Sequence, residues 1–413
     1  MKAVAAKLEP SARYLLLGAT MFLACGGLLM IFSASSAADF VAYGDSAYHV
    51  KRQALFLLVG LAALLLASNL PVKAIRALGL WVLAAGDLML VLVLLMGVGK
   101  WGAVRALDVG ITTIQPGEIV RLGCVLVMAD LLADRRRHPR PVKDDLLKIA
   151  AIVGIPFALV MLQPDMGVGL SILIAVLFVL VLGGIPGRWM AGILASVSVG
   201  FGALIPLAMY RTDRITSWLD PGKDPLGSGY QILQAGLAFG SGGILGLGLG
   251  MSRQKFFYLP AAHTDFIFAI IGEELGLLGA LCVVAAFGVF LWAGIRIALA
   301  AKDPYARTVA GGLTIMIVVQ ALMNMASVTG LMPVAGEALP LVSYGGSSLL
   351  FTMGGIGLIL AMTRVSAREP SRVRSHATEQ EGSARARSGE RRGYGGPRVS
   401  GIDGGRAGVS RRS

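Results

Sequence analysis

Four ionisable side chains, His263, Asp265, Glu273 and Glu274, stand within the stretch Phe257–Gly279 at the edge of a long apolar run. Holding such a group at the centre of a membrane helix costs about 2.5–3.5 kcal/mol on insertion scales, so each is a functional suspect. Two kinds of work are open to a carboxylate there, proton transfer or structural capping and pairing. Asp265 precedes Phe266-Ile-Phe-Ala269, where it could be a helix N-cap. Glu273 and Glu274 follow roughly two to three helical turns later, and at least one of them must face a bundle interior and find a partner.

Further polar groups interrupt the apolar pattern. Lys100 and Arg105 place two cations at the rim after one apolar run. Glu118 and Arg121 share one helix face just behind Pro116, which suits a first turn. Either an internal ion pair or a substrate contact would explain them. Asp165, in Gln163-Pro-Asp165, reads first as an N-cap. Arg211, Arg214, Lys223, Arg253 and Lys255 make one long segment basic. Ser343 and Ser347 lie in Pro340-Leu-Val-Ser-Tyr-Gly-Gly-Ser-Ser348, a turn of the kind that caps and packs. Gly240–Gly250 is glycine-rich but lacks both the Gly-Lys-Ser/Thr ending and the preceding strand of a phosphate loop. Close backbone packing is the favoured reading there.

The elements that must position these groups are membrane helices. Hydrophobic residues make up 55% of 413 positions and charged ones 15%, and mean hydropathy is +0.73. Such a composition belongs to the membrane class. Runs near the roughly 20 residues that a bilayer core requires occur at Tyr14–Ser33, Leu78–Gly97, Ile149–Met161, Val168–Gly184, Met190–Tyr210, Phe266–Leu291 and Val309–Val328. Shorter or more polar runs occur at Leu55–Ser68, Glu118–Leu132 and Leu349–Met362. The reading is an all-α integral membrane protein of about ten transmembrane helices, with the alternating ten-residue signature of a barrel absent.

Net charge is +13, and from Arg364 onward twelve arginines face five acidic residues. Residues 364–413 therefore read as a disordered basic tail that touches anionic headgroups, in preference to nucleic acid. With Lys2, Lys7, Arg13 and the Asp134–Arg140 cluster, the positive-inside rule puts both termini in the cytoplasm. Residues 1–13 form a cytoplasmic N-terminus and 14–363 the membrane domain. The Arg211–Asp265 segment, between spans seven and eight, then falls outside, too long to be idle. Within it Tyr230–Phe239 has helical spacing. The outer side also takes Ala34–Gln53 as a loop. The first run is too long for a cleaved signal. Cys25, Cys124 and Cys282 support no disulfide framework, and the four histidines no metal cluster.

Together Gln115-Pro-Gly-Glu118, Gln163-Pro-Asp165, Gly229-Tyr-Gln231, Tyr258-Leu-Pro260, His263-Thr-Asp-Phe-Ile-Phe268, Gly272-Glu-Glu-Leu-Gly276 and Ser343-Tyr-Gly-Gly-Ser-Ser348 resemble the SEDS family (shape, elongation, division and sporulation). The wording is closest to its division branch, and the match spans nearly all of Tyr14–Arg364. The resemblance implies a peptidoglycan glycosyltransferase that polymerises lipid II on the outer face of the cytoplasmic membrane, with release of undecaprenyl pyrophosphate. It implies Asp265 as the essential acid and His263 as its neighbour. Lys100, Arg105, Glu118, Arg121, Arg211, Arg214, Lys255, Ser343 and Ser347 become candidates for substrate contact. No cofactor is certain, although a divalent cation (Mg or Mn) could share the pyrophosphate charge. The implied partners are a single-pass class B penicillin-binding protein and other division proteins at the septum. The chain departs from the family pattern at Ala106, Gly117, Arg121 and Ala335, which leaves room for a specialised paralogue. A lipid II flippase and a non-catalytic division scaffold are the competing readings.

Overall fold

The computed structural model describes residues 2–364 apart from 97, 101–102, 109–112, 164, 194, 196–208 and 228. Within its elements the side chains of 2–10, 98–100, 103–105, 108 and 209–213 are also outside the description. Helices α1 (Lys2–Tyr43), α2 (Tyr48–Asn69) and α3 (Val72–Met96) come first. Short antiparallel strands β1 (Val98–Lys100), β2 (Ala103–Asp108) and β3 (Thr113–Ile114) interrupt the helical order. Then follow α4 (Pro116–Arg137), α5 (Leu146–Leu162), α6 (Met166–Gly183), α7 (Met209–Leu219), α8 (Tyr230–Gly242), α9 (Ile267–Ala300), α10 (Pro304–Val328) and α11 (Gly346–Arg364). Residues 365–413, nearly all of the expected basic tail, lie outside the described residues.

Among the described residues seven helices are long and apolar enough to cross a membrane: α1 from Ser11, α2, α3, α6, α9, α10 and α11. The expected spans at Glu118–Leu132 and Ile149–Met161 are helices too. One carries the charges of Glu118, Arg121, Asp130 and Asp134, and the other is a shorter apolar helix. Most of Met190–Tyr210 falls outside the described residues. The reading of Ala34–Gln53 as a loop is corrected. α1 continues to Tyr43 and α2 begins at Tyr48, because Ser35 and Asp39 turn inward and are buried. α1 begins at Lys2 and so includes most of residues 1–13.

The core is built from α4, α6 and α10, packed on one another, with α9, α3 and α1 around them. α10 is the most enclosed of the seven long apolar helices, 83% buried over its most apolar window. It meets its neighbours through small residues. A Cβ on Gly312 would stand 2.7 Å from Val179 Cγ2 and 2.8 Å from Val125 Cγ1, so only glycine lets three helices approach this closely. Local signals set the helix starts. Asp165 accepts from Val168 N at 3.3 Å at the head of α6, and Asp303 accepts from Ala306 N at 3.2 Å at the head of α10.

α9 is broken at Gly276, whose φ of 67° and ψ of −165° are non-helical. The glycine-rich segment after α8 wedges into this break. Leu277 N donates to Gly243 O at 2.9 Å, and Leu247 N and Gly248 N donate to the carbonyls of Glu273 and Glu274, each at 3.0 Å. A Cβ on Gly276 would lie 2.4 Å from Gly246 N. The Gly240–Gly250 run thus serves close packing, as its composition suggested.

Candidate active site

Asp265 sits half-buried at the end of the coil that leads from α8 into α9. The cap position of α9 is Phe266, so the expected N-cap role of Asp265 is not the one the helix uses. Instead the backbone around Asp265 is gripped from outside. Three consecutive carbonyls each accept a hydrogen bond from a different donor. His263 O accepts from Tyr344 N at 3.0 Å, Thr264 O from Ser343 Oγ at 2.6 Å, and Asp265 O from Asn324 Nδ2 at 2.7 Å. Ala261, in a left-handed conformation with φ of 57°, closes a tight turn just before them. Its carbonyl accepts from Thr264 N at 3.1 Å and Phe266 N at 3.2 Å. Backbone fixed this way holds a side chain with little left to reorganise.

The donors come from the loop between α10 and α11 and from α10 itself. Ser343 is buried, and its hydroxyl also accepts from Leu339 N at 2.9 Å. Gln53 of α2 clamps the same turn, donating to Ser343 O at 3.2 Å and accepting from Gly345 N at 3.2 Å. Ser347 is buried in the first turn of α11. Ser343 thus works as a brace for Asp265.

Beside this cradle lies an aromatic and imidazole cluster. The His263 ring stands 4.7 Å from that of His49 and 5.9 Å from that of Tyr344, centre to centre. His49 Nδ1 pairs with buried Asp39, whose other oxygen accepts from Ser35 Oγ at 2.8 Å and His49 N at 3.1 Å. Burial, with help from the neighbouring His49, holds the His263 imidazole down at about 4 against the opposing pull of Asp39. His263 is therefore neutral at physiological pH and adds no positive charge next to Asp265.

A second polar centre lies between α4, α6 and the α10–α11 loop. Arg121 NH2 pairs with Glu118 at 2.7 Å, and its NH1 pairs with Glu337 at 2.8 Å and donates to Ser171 at 3.1 Å. All three ionised groups are at least 95% buried, which makes this an internal network in which each charge has a partner. A small polar cavity of about 20 Å³ adjoins it, lined by Gln115, Glu118, Arg121, Gln163 and Asp165 among others.

Glu273 and Glu274 are fully buried partners for the wedge segment. Glu274 accepts from Ser33 Oγ at 2.7 Å and Ser252 N at 3.2 Å, and Glu273 from Arg253 N at 3.0 Å. Lys255 belongs to this group. It is buried, pairs with Glu274 at 3.2 Å and donates to Gly250 O at 2.6 Å. Its charge is spent inside the fold, where a substrate phosphate cannot share it without breaking that pair. Arg214, on α7, donates to Val334 O of the α10–α11 loop. Lys100 and Arg105 lie in β1 and β2 and Arg211 in α7, but their side chains fall outside the described residues. Among the described residues no group of three or more His, Cys, Asp or Glu could hold a metal ion.

Asn324, Glu337, Gln53, Asp39 and His49 escaped the sequence reading. Their signal was present in part. Glu337 is the one acidic residue between Asp303 and Glu369, and Asn324 interrupts an apolar helix. Nothing in the order of residues, however, says that these groups converge on Asp265.

The helical bundle is also the fold of solved relatives. The FtsW/RodA/SpoVE family of cell cycle proteins matches residues 13–368. Stage V sporulation protein E of Bacillus subtilis is 40% identical over 87% of this chain and 98% of its own length. A protein of Geobacter metallireducens named "Probable peptidoglycan glycosyltransferase FtsW" is 36% identical over 82% of this chain and 91% of its own. Among solved structures, a chain from a peptidoglycan synthase complex superposes with a TM-score of 0.66 at 30% identity, covering 83% of this chain and 97% of that one. The rod shape determining protein RodA of Thermus thermophilus superposes with a TM-score of 0.64 at 28% identity, covering 86% and 97%. The chain belongs to the FtsW/RodA/SpoVE family, the SEDS proteins, and is FtsW-like within it.

Proposed function

We infer that this protein is a peptidoglycan glycosyltransferase that polymerises lipid II on the outer face of the cytoplasmic membrane during division. The observation that carries the mechanism is the grip on the carbonyls of His263, Thr264 and Asp265. It holds a half-exposed carboxylate in a fixed place beside a neutral imidazole. Asp265 takes the proton from the acceptor sugar hydroxyl. The freed oxygen bonds to the anomeric carbon of the donor, and the bond to undecaprenyl pyrophosphate breaks with its electron pair on the leaving group. A positioned base contributes about 10²–10⁴-fold to such a step. Lys100, Arg105 and Arg211 are the cations proposed to meet the pyrophosphate. Glu118 and Arg121 border the adjoining cavity from inside.

In this reading the bundle has ten spans, both termini cytoplasmic, and the long loop between spans seven and eight outside. A single-pass class B penicillin-binding protein is the proposed partner, and the basic tail rests on anionic headgroups. Full-length protein, with that partner, is expected to convert lipid II into glycan strands. Asp265→Asn is expected to lose 10²-fold or more of the rate at unchanged melting temperature. Undiminished polymerisation by that variant overturns the assignment of the base.

A further inference from the structure

The loop that braces Asp265 is itself tied to the middle of the bundle at one acidic residue. Glu337 is 4% exposed and lies in the α10–α11 loop. Its backbone carbonyl accepts from Asn324 Nδ2 at 2.7 Å, and the same amide nitrogen donates to Asp265 O at 2.7 Å. One side-chain amide thus joins the two acidic residues through their main chains. Six and seven residues after Glu337, Ser343 Oγ and Tyr344 N hold the carbonyls of Thr264 and His263. The Glu337 carboxylate meanwhile reaches the other way, to Arg121 of α4 at 2.8 Å. The closeness of packing here is tight. A Cβ on Gly167 of α6 would stand 2.6 Å from Glu337 Cγ, so the side chain has no room to swing toward that helix.

We propose that Glu337 is a positioning residue for Asp265, and that its ion pair with Arg121 is a latch that fixes the α10–α11 loop and through it the base. The inference rests on the polymerase reading. Glu337 touches no substrate, and it acts through Asn324, Ser343 and Tyr344. Among the described residues its Oε1 has no hydrogen-bond partner, so the contact of Oε2 with Arg121 carries the latch.

The latch responds to protons. Burial raises the Glu337 carboxyl to about 7, against the pull of Arg121 and with help from Glu118 and Asp165. The groups that face it are Arg121 and Glu118 of α4, Asp165 at the head of α6, and the neutral Asn324 of α10. Above about 7 the carboxylate is charged and the pair with Arg121 is complete. As pH falls through about 7 the carboxyl takes a proton and the pair weakens. Turnover should therefore fall on the acid side of neutrality, as the Glu337 carboxyl takes its proton.

The test is kcat and KM for lipid II polymerisation by full-length protein with its transpeptidase partner, from about pH 5 to 9. Wild type is expected to show a limb near pH 7 in kcat. Glu337→Gln is expected to lose that limb, lower kcat at pH 8 by about tenfold or more, and keep KM within about twofold. Glu337→Asp keeps the charge and is expected to restore the limb. If Glu337→Gln does not fold, wild type and Glu337→Asp still decide, because a wild-type kcat flat through neutrality overturns the latch by itself. A Glu337→Gln variant with wild-type kcat and pH profile also overturns it, as does one with raised KM and unchanged kcat. Absence of any polymerisation by wild type would instead refute the polymerase reading.

Discussion

At the scale of single residues, the chemistry turns on which charges are buried inside the fold and which reach its surface. Lys255 and Asp265 are ten residues apart on the same segment, and both are ionisable. Lys255 is buried against Glu274, Gly250 O and Ser33, whereas Asp265 is half-exposed with its backbone held from outside. Lys255→Met should therefore act on stability. Removing one partner of a buried pair costs about 3–5 kcal/mol and leaves Glu274 without its cation. Thermal unfolding in detergent should fall by several degrees, while KM for lipid II in the surviving fold stays near wild type. A raised KM at unchanged unfolding temperature would return Lys255 to the substrate. The sequence marks Asp265 as costly beside an apolar run and Lys255 as one cation of a basic segment. Only contacts separate them.

At the scale of elements, the decisive feature is the break in α9. A continuous apolar run from Phe266 reads as one helix, and over most of its length it is one. At Gly276 the chain takes a conformation open to glycine and strained for other residues, and the wedge after α8 fills the gap with backbone hydrogen bonds. Glu273 and Glu274, just before the break, collect the wedge's amides and Lys255. Gly276→Ala adds a Cβ 2.4 Å from Gly246 N at positive φ. About 1–3 kcal/mol of backbone strain is expected, with the clash on top. The variant should unfold at lower temperature and lose protection of the 243–255 segment from proteolysis. Wild-type behaviour in both measurements would mean the wedge is not seated as described.

At the scale of the whole molecule, the α1–α2 turn, the coil before α9 and the α10–α11 loop converge through His49, His263 and Tyr344. The ten-span reading puts this end outside. A membrane-impermeant thiol reagent applied to intact cells should label Phe257→Cys, and should label Lys302→Cys only after permeabilisation. The reverse pattern would invert the topology. Much of this architecture is legible in the order of residues alone. Apolar run lengths mark where helices must lie, since without a barrel pattern only a helix satisfies its backbone in lipid, and Pro116 and Asp165 mark helix starts. Asp265 also stands out early, because a carboxylate beside an apolar run is costly wherever it is finally placed. What the order of residues cannot decide is partnership. Asn324 is 59 residues from Asp265, and Arg121 is 216 from Glu337. A buried polar group announces that it needs a partner without saying which one, and that choice is made only when helices distant in sequence close into a bundle.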